Sequence, residues 1–291
     1  MSEPQYFDSA TEAWQYQLQY ILDNGSKVSP RGKPTLEVDH PSLAIDMRRP
    51  AVHVKERGLN YSFMAAEALW MIRGDDTVSG IAPWNSNIEK FSDDGETFFG
   101  AYGPKIVDQA DYVVDKLLED PSTRQAVLTI WRENPPESKD IPCTVTMDFQ
   151  IRDGKLDCHV YMRSSDIWLG LPYDIFNFSA VAAWIACRHN ERVGLEGKAD
   201  LGTLYWTAGS SHLYEDPGWI DFEISDAEEC ANAEGLADNS DWITEDFPTE
   251  WVLQGMSGWR NIRRCLYDAR ENAERQYNNV YSPRPLLKDE F

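Results

Sequence analysis

Residues 141–179 read IPCTVTMDFQIRDGKLDCHVYMRSSDIWLGLPYDIFNFS. Apolar and polar residues alternate around Val145, Met147, Phe149 and Ile151, which predicts a strand with one buried face. Asp153-Gly154 supplies a tight hairpin turn, and Leu156, Cys158, Val160 and Met162 mark the returning strand. Cys143, before the first strand, then meets Arg163-Ser164-x-Asp166, after the second, at one end of the hairpin. Gly170-Leu171-Pro172 breaks the pattern, and a largely apolar helix follows over 175–187. A thiol, an Arg-Ser pair and two carboxylates, Asp166 and Asp174, are thereby gathered as a site.

The 291 residues allow one large domain or two small ones, and 42% hydrophobic residues suffice for a sizeable core. Eleven Trp, thirteen Tyr and eleven Phe argue against disorder. No apolar run is long enough to span a membrane, and the first residues lack a signal peptide's basic and apolar regions. Five cysteines, odd in number and without a CxxC pair, fit a reducing cytosol. A net charge of −22 repels phosphate backbones, so no nucleic-acid partner is expected. An anionic ligand would need a local Arg cluster. The acidity also fits a saline habitat, since Arg outnumbers Lys.

Along the chain, 11–22 is an amphipathic helix with Trp14, Leu18, Tyr20 and Ile21 among its apolar positions, and Asn24-Gly25 suits a left-handed cap. A basic loop at 29–33 precedes a strand over 36–47. The apolar helix 61–72, ending at Gly74, carries Glu67 in its middle. A carboxylate buried there unpaired is costly, so it either faces solvent or has a task. Trp84 follows a loop, and Tyr102 lies between Gly100 and Gly103. A helix over 106–118 leads through Thr123-Arg124-Gln125 into a strand at 126–131. The strand 201–208 runs on to His212-Leu213-Tyr214, where His212 and Tyr214 point to one side. No Lys or Arg occurs from 215 to 259, which predicts a solvated, loop-rich acidic insertion over 215–257. A final helix follows at 259–277, with Ile262, Cys265, Leu266 and Ala269 on one face. No linker or repeat divides the chain, so 1–291 reads as a single domain.

Pro142-Cys143, the hairpin, Arg163-Ser164-x-Asp166, Leu169-Gly170-x-Pro172 and His212-Leu213-Tyr214, in that order, resemble the thymidylate synthase superfamily over residues 11–214. Three positions depart from thymidylate synthase itself and look like the phage deoxycytidylate hydroxymethylase branch. Asp174 stands where that enzyme has the Asn that reads uracil, Thr144 replaces the His after the nucleophile, and Met162 replaces the Gln before Arg163.

The resemblance implies an α/β fold of α+β type, with a large mixed sheet flanked by helices and sheets packed back to back in a homodimer. It makes Cys143 the nucleophile, its pKa lowered beside Arg163, and gives Glu67 and Tyr102 the proton transfers. Asp174 would read cytosine and share a proton with N3; capping the following helix is its simpler role. Arg31, Arg163 and Ser164 would hold phosphate and sugar, with Arg124 donated across the dimer. Gln125 stands where the family has a second Arg. His212 and Tyr214 would hold the deoxyribose hydroxyl. Trp84, Asp166 and Gly170 would meet the folate, although Trp84 could be a packing residue and Asp166 part of a surface turn. The co-substrate implied is 5,10-methylenetetrahydrofolate, with no metal.

The implied reaction is transfer of a one-carbon unit to C5 of dCMP and addition of water, in the cytoplasm (the host's, if phage-encoded). The same motif allows a dCMP methylase or a CMP hydroxymethylase. Thymidylate synthase or dUMP hydroxymethylase activity, and a silent nucleotide- or RNA-binding relative, are further alternatives. The end of the chain, PRPLLKDEF, does not match the apolar tail of thymidylate synthase.

Overall fold

The computed structural model describes residues 4–216, 222–233 and 249–277. Its first half holds β1 (Gln5–Phe7), α1 (Ala10–Asn24), β2 (Ser26–Val28), β3 (Thr35–Asp39), β4 (Ser42–Asp46), α2 (Tyr61–Ile72), α3 (Val78–Ile81), α4 (Gly103–Glu119) and β5 (Val127–Thr129). There follow β6 (Thr144–Arg152), β7 (Lys155–Met162), β8 (Ser165–Asp166), α5 (Leu171–Asn190), β9 (Asp200–Ala208), β10 (Ser210–Tyr214), α6 (Ile224–Asn232), α7 (Thr249–Val252) and α8 (Met256–Tyr277).

The hairpin forms as its sequence dictates. Asp153 and Gly154 both take positive φ, 51° and 73°, as the favoured two-residue turn requires. Met147, Phe149 and Ile151 on β6 and Leu156, Cys158, Val160 and Met162 on β7 are buried. Val145 departs from the expected pattern. An irregularity between Thr144 and Thr146 buries Thr144 instead, and the Val145 carbonyl accepts from both Ile130 N (3.0 Å) and Trp131 N (3.1 Å).

The large mixed sheet is present, in the order β1-β4-β9-β7-β6-β5, with β1/β4 and β7/β9 parallel. A second sheet runs β2-β3-β10-β8. The single strand expected over 36–47 is two strands in different sheets, because His40 takes φ 51° between them. Strands β9 and β10 divide in the same way at Gly209. There His40 N donates to Gly209 O (3.1 Å), Ala208 N to Pro41 O (3.2 Å) and Gly209 N to Met162 O (2.8 Å). A Cβ on Gly209 would lie 2.9 Å from the Arg163 carbonyl, so the crease needs glycine. Arg163 thus sits where the sheets part.

Helix α5 is apolar almost all round because it packs against β7 and β9 as well as α1, α2, α4 and α8. Its first turn brings Asp174 to the edge of the core. Helix α1 starts at Ser9, whose hydroxyl accepts from Glu12 N (3.3 Å). The left-handed cap expected after it is absent: Gly25 is extended (φ −64°, ψ 134°). Glycine is required there for space, since a Cβ would lie 2.5 Å from Ile21 O.

The described parts of the acidic stretch hold more regular structure than its composition suggests. Glu223 and Asp226 form a reciprocal capping box at the start of α6, and Phe222, Ala227 and Cys230 are buried. Gln15 Nε2 donates to the carbonyls of Cys230 and Ala233, both at 2.9 Å. Residues 234–248 of that stretch, and the tail 283–291, lie outside the described residues. The last helix begins at Met256, slightly before its expected start, and buries Ile262, Leu266 and Ala269.

Asn190 fastens the far end of α5. Its Nδ2 donates to Ala199 O (2.7 Å) and Val252 O (3.0 Å), and its Oδ1 accepts from Ala199 N (2.8 Å). Asn190→Ala leaves the N–H and the carbonyl of Ala199 short of partners in a buried place, and takes one of its donors from Val252 O, which keeps Gly255 N (3.1 Å). It is expected to cost about 2–4 kcal/mol, read as a lower urea midpoint with an unchanged slope.

Candidate active site

The thiol and the guanidinium meet at the open end of the hairpin. Arg163 N donates to Cys143 O (2.8 Å). The Arg163 side chain donates through Nε to Pro142 O (3.0 Å) and through Nη2 to Ile141 O (2.9 Å), which leaves Nη2 3.7 Å from Cys143 Sγ. Tyr102 Oη accepts from Thr144 N (3.2 Å), and Asp140 Oδ2 accepts from Gly100 N (2.7 Å), so the loop carrying Tyr102 is tied to the loop carrying Cys143.

The expected fall in the Cys143 pKa does not occur. Burial pushes the thiol up, Arg163 opposes it, and Asp174, Asp140 and Asp166 add to the rise. Burial raises the other four thiols too, so position and not acidity distinguishes Cys143.

Arg31, Arg163, Ser164, His212 and Tyr214 line one pocket of about 480 Å³. Arg31 reaches it from a 3-10 turn with φ 55°, followed by Gly32 at φ 77°. His212 and Tyr214 lie on one side of β10, ring centroids 5.1 Å apart and edge-on. His212 pairs in register with Asp166 on β8. Burial lowers the His212 pKa against the pull of Asp166. Two guanidinium groups, a hydroxyl and neutral donors suit a phosphate ester.

The pocket opens into a cleft of about 600 Å³ that adds Glu67, Tyr102, Cys143, Asp166, Gly170 and Asp174. Glu67 does not simply face solvent: Asn177 Nδ2 donates to its Oε2 at 2.7 Å, and burial pushes its pKa up to about 7 against that bond. Asp174 does not cap α5, because Gly170 holds the cap position and no side-chain cap bond forms. Burial, then the carboxylates of Glu67 and Asp166, hold its pKa well above the usual range. Asp166 does make a turn, its Oδ1 accepting from Trp168 N (2.9 Å) and Leu169 N (2.8 Å), but it does so at the cleft wall. Burial raises the Tyr102 pKa as well.

A larger cavity of about 910 Å³ shares Glu67, Leu169, Gly170 and Asp174 and continues past Trp168, Tyr173 and Phe91 to α6. Phe63, Phe91, Trp168 and Tyr173 line it together with several carboxylates, among them Glu56, Glu223 and Glu229, and its size suits a flat, ring-bearing ligand. Among the described residues, no cluster of His, Cys, Asp or Glu is arranged to hold a metal ion.

Two sequence candidates lie apart. Arg124 is exposed before β5 and does not line the cleft. Trp84 lies under the Arg270 guanidinium (4.7 Å), and its carbonyl accepts from Asn60 Nδ2 (3.0 Å). It does not line the cavities that hold the other candidates. Sequence reasoning missed Arg57, which stacks on Trp168 (4.4 Å) and donates to its carbonyl (2.7 Å). It also missed Asn177. The signal there was a side-chain amide in the apolar part of the helix, one turn past Asp174.

The sequence pattern of the thymidylate synthase family matches residues 12–221. The deoxyuridylate hydroxymethyltransferase of Bacillus phage SP01 is 31% identical over 228 residues, covering 68% of this chain and 55% of that protein. The chain thus spans about half the length of the curated relative it matches.

Glu67 sets a stability cost that can be measured. Its pKa rises from 4.5 in an unfolded chain to about 7 in the fold. The native state therefore favours the protonated form, and the stability this gives is lost as pH climbs through about 7. Glu67→Gln is expected to raise the melting temperature by several degrees near pH 8, with the gain shrinking toward pH 4.5. A gain that is equal at both pH values would contradict a buried charge.

Proposed function

The chain belongs to the thymidylate synthase family, and on that premise we propose that it hydroxymethylates C5 of dCMP with 5,10-methylenetetrahydrofolate, as a homodimer. The observation that carries the choice of base is Asp174, a carboxyl that lines the cleft with Glu67 and whose pKa is raised well above the usual range by burial and by the Glu67 and Asp166 carboxylates, which favours its neutral form. A neutral carboxyl accepts from the cytosine amino group and donates to N3. Turned over, it would also match uracil. Only cytosine N3 can take the proton, so discrimination falls on the transition state.

Phosphate docks against Arg31 and Arg163, and His212 and Tyr214 hold the sugar. Cys143 Sγ adds to C6 as its proton passes to water in the open cleft, with Arg163 at 3.7 Å to hold the forming charge. Asp174 protonates N3 in the same event, and C5 becomes an enamine carbon. When bound, the folate supplies a one-carbon unit at the formaldehyde oxidation level to C5. Glu67 and Tyr102 take the proton that C5 gives up as the bond from the one-carbon unit to the folate nitrogen breaks and tetrahydrofolate leaves. Water adds to the exocyclic methylene that remains on the ring, and expulsion of Cys143 restores the aromatic base. Hydride in place of water would give the methylated base.

Support for the dimer comes from the six-stranded sheet. On β6, β7 and β9 the alternate residues Asp148, His159, Tyr161 and Tyr205 are half-buried or exposed, a face that a second copy would cover. The single-domain reading of 1–291, with an acidic insertion over 215–257, is part of this proposal. A second reading, action on dUMP, is favoured by the name of the SP01 relative, which acts on deoxyuridylate.

Mass analysis of the products from dCMP, CMP and dUMP separates these readings. Hydroxymethyl-dCMP is the expected principal product. Asp174→Asn is expected to shift the kcat/KM ratio toward dUMP by orders of magnitude. A parent enzyme that prefers dUMP, or a ratio that stays put, would sink the cytidylate reading. For the dimer, Arg124→Ala mixed with Cys143→Ala is expected to regain activity after subunit exchange, because one hybrid site holds both native residues. No recovery with exchange demonstrated would rule out Arg124 acting in trans.

A further inference from the structure

Asn177 is fully buried in α5, one turn beyond Asp174, among Ile175, Phe176, Phe178, Ala180 and Val181, all buried. Its Nδ2 donates to Glu67 Oε2 at 2.7 Å, while its Oδ1, equally buried, has no donor. An amide left half unsatisfied in an apolar helix is unfavourable for the fold, and the packing of α5 has no use for it. An amide does, however, have two faces. It can donate to an ionised carboxylate, or turn over and accept from a protonated one.

The reaction proposed above asks Glu67 for both forms. We propose that Asn177 is a positioning residue for Glu67, holding its carboxyl at the cleft in the charged and the neutral form by turning its amide over as the proton comes and goes. The orphaned Oδ1 is the acceptor waiting for the second state. Other charged and titratable groups share the cleft: Asp174 from α5, Tyr102 before α4, Cys143 and Arg163 at the hairpin end, and Asp166 and His212 from the smaller sheet. Helix α8, packed along α2, sets Arg270 over the rings of Trp84 and Tyr267. Among these groups the Asn177 bond is the direct one to the Glu67 carboxyl.

The inference rests on the proposed reaction for its purpose, so its test needs a readout that does not require turnover. The infrared signal of the protonated Glu67 carboxyl, assigned by its loss in Glu67→Gln, is titrated in the full chain and in Asn177→Leu and Asn177→Ala. Leucine nearly keeps the volume and removes both faces of the amide. Alanine removes both faces without adding a charge or a branched side chain, so it serves if leucine prevents folding. The bond to the charged form is the stronger of the two, so losing both is expected to raise the titration midpoint by about one pH unit, tenfold in proton affinity, and to shift the carbonyl stretch of the protonated carboxyl as its O–H loses the Asn177 acceptor. The acid limb of C5 tritium release from labelled dCMP should follow by the same amount, with dCMP binding unchanged within about threefold. A midpoint that stays put in the folded variants overturns the proposal, whatever their activity. A midpoint that moves in a protein that turns over no pyrimidine nucleotide upholds the role of Asn177 and overturns the reaction.

Discussion

The Arg163 guanidinium holds the loop that it faces. Two of its donors go to the carbonyls of Ile141 and Pro142, its backbone N–H goes to Cys143 O, and what remains is turned toward the thiol and the phosphate pocket. Cys143 therefore has no independent position. The end of β7, the loop before β6 and the Tyr102 loop move together, because each is hydrogen-bonded to the next through a backbone group. A lysine at 163 would keep the charge and lose the fork that grips two carbonyls at once.

Around that cation the cleft is crowded with acids. Asp140, Asp166 and Asp174 all raise the Cys143 pKa, and Glu67 raises that of Asp174. Several carboxylates cannot all be ionised in such confinement, so part of the acidity is carried as protons. In the proposed reaction, which adds a thiol to a ring, protonates a ring nitrogen and strips a proton from carbon, retained protons matter more than fixed charges. The raised thiol fits that proposal: Cys143 need not be a thiolate beforehand if its proton can leave as it attacks.

Much of this was legible in the chain. The hairpin was, because period-two alternation and Asp153-Gly154 are local signals, and Glu67 was, because a carboxylate in an apolar helix is too costly to be incidental. Matters set by distant packing were not. Nothing near His40 announces that an L-residue will take positive φ and send β3 and β4 into different sheets. Gly25 suggested a cap, but the reason for glycine is the space beside Ile21 O. Val145 lost its buried place to an irregularity whose partners come from the neighbouring strand. The acidity of Cys143 was misjudged because a motif shows the cation beside a thiol and not the apolar walls and carboxylates that residues far along the chain bring to it. Helix α6 was hidden by composition, since its buried face is only Ala227 and Cys230.

The crease at His40 and Gly209 has a mechanical side. Two neighbouring chain segments each cross from one sheet to the other, so the sheets cannot slide past one another without tearing hydrogen bonds in both. His212 and Tyr214 on one sheet are thereby kept at a set span from Cys143 at the end of the other. A ligand bridging them is measured against a rigid gauge: shortening or lengthening the link between its anionic end and its ring cannot be absorbed by the frame. Any tolerance must come from side chains, and relatives that accept a different ring can change the residue that meets it while leaving the gauge alone.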